Sequence, residues 1–133
     1  MLKKITIFTI ILFTLLGCKE DFPTYSKFCN DKNSSQIDCL NYMVFNKQDK
    51  KLLQDSFTLK NDDTCPYKVV LTKYKVEACS NPIVKSTGGD FNGYVRVEVK
   101  KGFECYFKIQ SDYKHHPDEA FERVLKGISK NFK

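Results

Sequence analysis

The sequence predicts an α+β domain: a small, mainly antiparallel sheet of about five strands, disulfide-braced, with one C-terminal amphipathic helix. Three observations predict it. Val95, Val97 and Val99 alternate with Arg96 and Glu98, and the chain then returns with a second alternating run after Gly102, as a hairpin requires. Ala120, Phe121, Val124, Leu125, Ile128 and Phe132 recur at helical spacing near the end. Five cysteines are scattered along a stretch of about 105 residues with no close pair among them. A small β-sandwich is the alternative.

Taken in order, residues 19–28, KEDFPTYSKF, read as a short tether containing Pro23. Fully extended, ten residues reach only about 35 Å. Residues 29–39 form a polar loop ending in Cys29 and Cys39, and a bridge between those two would staple it. Residues 40–46, LNYMVFN, suit a strand or the opening of a helix, and a polar segment follows. Residues 56–60, SFTLK, read as a short strand before an Asn61-Asp62-Asp63 turn. In residues 67–78, Tyr67, Val69 and Leu71 alternate in one parity and Tyr74, Val76 and Ala78 in the other. That change predicts a bulge near Thr72-Lys73. The glycine-containing stretch 86–93 reads as a loop. In the hairpin, Lys100-Lys101-Gly102 turns the chain, and Phe103, Cys105, Phe107 and Ile109 are expected on one apolar face. The last helix starts with His116 as a candidate cap, Pro117 at its first position and Asp118 and Glu119 at the positive end of its dipole.

The first residues carry a different message. Lys3 and Lys4 precede residues 5–16, an uncharged apolar run of roughly 18 Å as a helix, too short for a hydrocarbon core of about 30 Å. This is the length of the apolar region of an export signal. It ends in Leu15-Leu16-Gly17-Cys18, which resembles the lipobox of bacterial lipoproteins. The resemblance covers the first eighteen residues and implies cleavage before Cys18, a diacylglycerol on its thiol and acylation of the new amino end. Several acyl chains, at about 0.8 kcal/mol per buried CH₂, anchor stably where one does not. Lys19, where retention in the inner membrane would call for Asp, implies the outer membrane, with the protein facing the periplasm. The expected organisation is a signal peptide at 1–17, the lipidated cysteine and tether at 18–28, and one globular domain at 29–133.

Removing the signal takes away Lys3 and Lys4, leaving 20 basic against 16 acidic residues. Only Arg96 and Arg123 are arginines, so bidentate reading of phosphates or bases is disfavoured and nucleic acid is excluded as a partner. In an exported chain, Cys29, Cys39, Cys65, Cys79 and Cys105 read as a disulfide framework. Five thiols allow at most two internal bridges, with the pairing open and one cysteine left over, either buried or available to another chain. No C-x-x-C pair suggests zinc.

Catalytic chemistry finds no support. His115 and His116 are adjacent on a loop, and the chain has no third histidine. Ser86, Thr87, Gly88, Gly89 and Asp90 lack the lysine of a phosphate loop and lead toward a strand rather than a helix. With Asn92 they are instead a candidate binding loop. No G-x-S-x-G occurs, and Asp62 with Asp63 reads as a turn. Tyr67, Tyr74, Tyr94, Tyr106 and Tyr113 lie around the sheet and suit either a half-exposed face or a protein interface. No cofactor, metal or catalytic residue is expected. The expected function is non-enzymatic binding of a protein partner by a lipid-anchored envelope lipoprotein, as an inhibitor or immunity protein against a periplasmic toxin or hydrolase. The alternative is an accessory or structural subunit of an envelope or secretion assembly, and a small-molecule or lipid carrier comes third.

Overall fold

The computed structural model describes residues 19–29, 37–76 and 91–132, and within them the chain forms one five-stranded sheet and two helices. The elements are β1 (Thr24–Phe28), β2 (Asn41–Tyr42), α1 (Lys47–Phe57), β3 (Tyr67–Lys75), β4 (Gly93–Lys101), β5 (Glu104–Tyr113) and α2 (Pro117–Asn131). The strand order is β1-β5-β4-β3-β2, antiparallel throughout except for the short parallel pairing of β2 with β3 across α1. Both helices cover one face of this sheet. The expected α+β class therefore holds, and the sandwich alternative does not.

Alternation decides the sheet's two faces. Val69, Val95, Val97, Val99, Phe107 and Ile109 are buried against Leu53 and Phe57 of α1 and Ala120, Phe121, Val124 and Ile128 of α2. Each large aliphatic or aromatic side chain removed from water there contributes about 1.5–3 kcal/mol. Phe28, Phe57, Phe107 and Phe132 complete one aromatic cluster, with Phe132 4.9 Å from both Phe57 and Phe107. Gly127 lets α2 approach β5 closely, since a Cβ at that position would overlap Ile109 Cδ1.

The predicted terminal helix is present with Pro117 in its first turn. The other helix, α1, was not expected, and its last two residues, Ser56 and Phe57, with the C-cap Thr58 stand where a strand was predicted at 56–60. Asn46 Oδ1 accepts from the amides of Gln48 and Asp49 at 2.9 and 3.0 Å, which caps α1. Leu53, Ser56 and Phe57 then share its buried side at helical spacing. Cap and spacing together outweigh the brief alternation of Phe57 and Leu59.

The predicted bulge lies elsewhere. All nine residues of β3 pair with β4 without a shift, and Lys73 turns toward the helices, its ammonium 2.8 Å from Asp49 and 4.5 Å from the Phe121 ring. Register breaks instead between Val99 and Lys100, opposite Tyr106 of β5. The extra residue turns Tyr106 into the core beside Tyr67. Lys100 then pairs with Cys105 and sets it on the face opposite Phe107, and Phe103 is fully exposed at the hairpin tip. Neither Phe103 nor Cys105 joins the apolar face expected of them.

Two disulfides brace the domain. Cys29 bridges to Cys105 (Cα–Cα 5.6 Å), continuing the β1–β5 pairing, and Cys39 bridges to Cys65 (5.9 Å), tying the start of β2 to the start of β3. Cys29 and Cys39 do not bridge each other, because sheet topology carries them to separate neighbours. The Asn61-Asp62-Asp63 turn is present beside the second bridge: Asp62 Oδ1 accepts from the amide and hydroxyl of Thr64. Those bonds hold its carboxyl below the ordinary value. Cys18, Cys79 and residues 1–17 lie outside the described residues.

The expected tether is part of the fold. β1 pairs residue for residue with β5, from Thr24 opposite Ser111 to Phe28 opposite Phe107. Thr24, Ser26 and Phe28 face the helices and Tyr25 and Lys27 face away, an alternation hidden by its polarity. Ahead of β1, the Glu20 carboxylate accepts the backbone amides of Lys114, His115 and His116. It holds the turn that leads into α2, while the side chain of His116, the expected cap, makes no capping bond. Arg123 locks the arrangement, donating to the Glu20 carbonyl (2.9 Å), the Asp112 carbonyl (2.8 Å) and the buried Ser111 hydroxyl (2.9 Å).

Candidate functional site

Two helices on one face leave the other face of the sheet uncovered by any described element. Lys68, Val70, Thr72 and Tyr74 of β3 reach it, with Tyr94, Arg96, Glu98 and Lys100 of β4. Lys108, Gln110 and Asp112 of β5 and Tyr25 and Lys27 of β1 complete it. Each strand contributes every second residue, so the positions follow from register alone.

A fixed row crosses three strands of this face. Tyr74 and Tyr94, cross-strand partners, stack with ring centroids 5.1 Å apart and planes 27° from parallel. The Arg96 guanidinium lies 4.8 Å from the Tyr94 centroid. Its Nε donates to Gln110 Oε1 at 2.9 Å, and Gln110 Nε2 donates to Asp112 Oδ1 at 2.8 Å. Rotamers are thus set before any partner arrives, which lowers the ordering cost of binding. Tyr74 remains 47% exposed and Tyr25 63% exposed.

Beside this row lies a concavity of about 600 Å³ lined by Tyr25, Lys27, Arg96, Lys108 and Gln110 together with backbone of β1 and β5. Lys27 and Lys108 are directly opposed across the β1–β5 ladder. Like charges in that geometry repel, and neither lysine forms an ion pair among the described residues. Glu98, the cross-strand partner of Lys108 on β4, is engaged instead by Lys100 at 3.4 Å. The concavity is therefore electropositive, walled by tyrosine, and suited to a carboxylate-bearing surface.

The structure distributes the residues singled out in sequence unevenly. Tyr74 and Tyr94 come together on the open face, whereas Tyr67, Tyr106 and Tyr113 belong to the core side. Burial raises the Tyr106 hydroxyl above its ordinary pKa, and nearby Tyr67 adds to the effect. Tyr113 donates to the Tyr74 carbonyl at 3.0 Å. Ser86, Thr87, Gly88, Gly89 and Asp90 lie outside the described residues. Asn92, the remaining residue of that candidate loop, is a clasp: its amide and side chain donate to the carbonyls of Tyr113 and Lys114, both at 2.7 Å. The rings of His115 and His116 meet edge to face at 6.3 Å. Among the described residues no group of three or more His, Cys, Asp or Glu side chains could hold a metal ion. Nor is any helix there long and apolar enough to cross a membrane.

Sequence reasoning missed Tyr25 and Lys27, because a polar edge strand and a tether have the same composition. The available signal was the alternation Thr24/Ser26/Phe28 against Tyr25/Lys27. Compared with protein-family models, curated proteins and solved structures, the chain matches none.

Proposed function

We propose that this chain is a lipid-anchored bacterial envelope lipoprotein that binds another protein without catalysing a reaction. The anchor is Cys18, and the site of action is the periplasmic side of the outer membrane. Within that class the reading is an inhibitor or immunity protein, neutralising a toxin or hydrolase that reaches the periplasm. What supports the anchor is the lipobox-like Leu15-Leu16-Gly17-Cys18 behind a short apolar run. What supports binding is one observation above the rest: the preset Tyr74-Tyr94-Arg96-Gln110 row beside the unneutralised Lys27–Lys108 pair. Tyrosine and arginine are enriched among residues that dominate binding energy. The partner that fits presents acidic side chains to the concavity, and charge complementarity there speeds encounter and fixes register.

The experiment is crosslinked capture of partners from the native envelope by wild-type protein and by the charge-reversed variant Lys27→Glu/Lys108→Glu. Recovery of one soluble toxin or hydrolase by wild type, reduced at least tenfold for the variant, supports the reading. Recovery of subunits of an envelope machine overturns the inhibitor role. Equal capture by the variant places binding on another surface.

A further inference from the structure

We propose that the end of the domain to which, among the described residues, Val76, Phe91, Asn92 and the turn at Lys114–His116 belong rests against an anionic lipid surface, so that the sheet stands upright on the membrane. This rests on acylation of Cys18 and adds an orientation to it.

The argument is one of chain length and where the chain is pinned. Glu20 is held at three points: its carboxylate by the amides of residues 114–116, its own amide by Glu119 at 2.9 Å, and its carbonyl by Arg123. Cys18 precedes Glu20 by two residues, a reach of about 7 Å even when fully extended. An acyl chain on that thiol therefore enters the bilayer close to the end of the domain that holds the α2 N-terminus. No flexible spacer lets the domain tumble away, because the stretch that resembled one is consumed by the Glu20 clasp and β1.

The neighbours of this pin are the ends of three strands. Val76 N donates to Asn92 O and Asn92 N to Tyr113 O, both at 2.7 Å, so β3, β4 and β5 all terminate there. Phe91 is 40% and Val76 43% exposed at this end, and Lys19, Lys75 and Lys114 are exposed around it. An aromatic ring with nearby ammonium groups suits the headgroup layer of a membrane containing anionic lipid. Asp21 and Asp118 also stand near the pin, so the short tether is the dominant cause of contact and the lysines add to it. At the opposite end lies Phe103, about 30 Å away along strands of nine and ten residues. The open face is then presented sideways, accessible to a soluble partner.

The chain contains no tryptophan, so single replacements report on their own positions. Full-length protein carrying Phe91→Trp, Val76→Trp or Phe103→Trp would be processed in cells. It would then be reconstituted in vesicles of phosphatidylethanolamine and phosphatidylglycerol, with and without bromine on the lipid chains. Intact mass and vesicle flotation first establish acylation. With acylation established, the expected result is at least twofold quenching at position 91 or 76 and none at 103. Equal quenching at both ends, or quenching at 103 alone, overturns the orientation while leaving the anchor intact. An unacylated protein that fails to float overturns the anchor, and the orientation with it.

Discussion

Replacing Cys29 and Cys105 together by serine unties β1 from β5 and measures how far the fold depends on that bridge. The bridge closes a loop of 76 residues, within which the second disulfide spans 26. With the inner bridge intact, the effective outer loop is roughly 50 residues, and the chain-entropy relation then gives about 4 kcal/mol at 25 °C. The native contacts at risk are modest by comparison: β1 is exposed along its length, and only Phe28 packs into the aromatic cluster. Most of the loss should therefore come from a freer unfolded chain. Both cysteines are changed at once, and Cys79 is replaced by serine in both proteins compared, so that no lone thiol can exchange with the remaining bridge. Urea unfolding of the soluble Cys18→Ser form, with and without the double replacement, reads the difference. With slopes of about 1–2 kcal/mol per molar urea, the midpoint should fall by about 2–4 M, and the slope should rise as the unfolded state expands. A loss below about 1 kcal/mol with an unchanged slope would refute the reasoning, because it would mean that the bridge barely restricts the unfolded ensemble.

Two further outcomes test the site's supports. Burial by itself would raise the Glu20 carboxyl, but the amides of Lys114, His115 and His116, with the charge of His116 behind them, outweigh it and leave the group below its ordinary 4.5. A lowered folded-state value means that the stabilisation is fully present above pH 4.5 and is lost as pH falls through the folded value. Glu20→Gln should thus cost up to about 1 kcal/mol near neutrality, and denaturation curves of the two proteins should converge on acidification. At Gly93, an added Cβ would overlap the Tyr74 carbonyl and the Tyr113 ring, whereas Gly102 has open space and a φ of +60°. Gly93→Ala should cost about 3 kcal/mol or more by forcing β3 and β4 apart, and Gly102→Ala only about 1 kcal/mol of backbone strain. Equal thermal shifts for the two variants would contradict this packing.

Some elements were legible because their causes are local. The Val95-Val97-Val99 alternation and the stripe from Ala120 to Ile128 each carry a full period within one segment, so the hairpin and α2 could be read directly. The α1 helix was obscured because its buried side has only Leu53, Ser56 and Phe57, and the decisive signal was a single capping asparagine. The open-face site was half legible. Tyr74, Tyr94 and Arg96 stood in recognisable strands, but their meeting with Gln110, Lys108, Tyr25 and Lys27 depended on the register of three separate pairings.

By itself the sequence determined the α+β class, the presence of a disulfide framework and the likeness of residues 15–18 to a lipobox, since each depends on residue type and near-neighbour spacing. Tertiary structure alone decided which cysteines pair, that residues 24–28 form an edge strand, where the bulge falls and which face remains open. Those outcomes depend on contacts between residues far apart in the chain, such as Arg123 with Glu20 across 103 positions. No periodicity within a segment encodes such a contact; it exists only once helices, strands and N-terminal segment compete for the same partners.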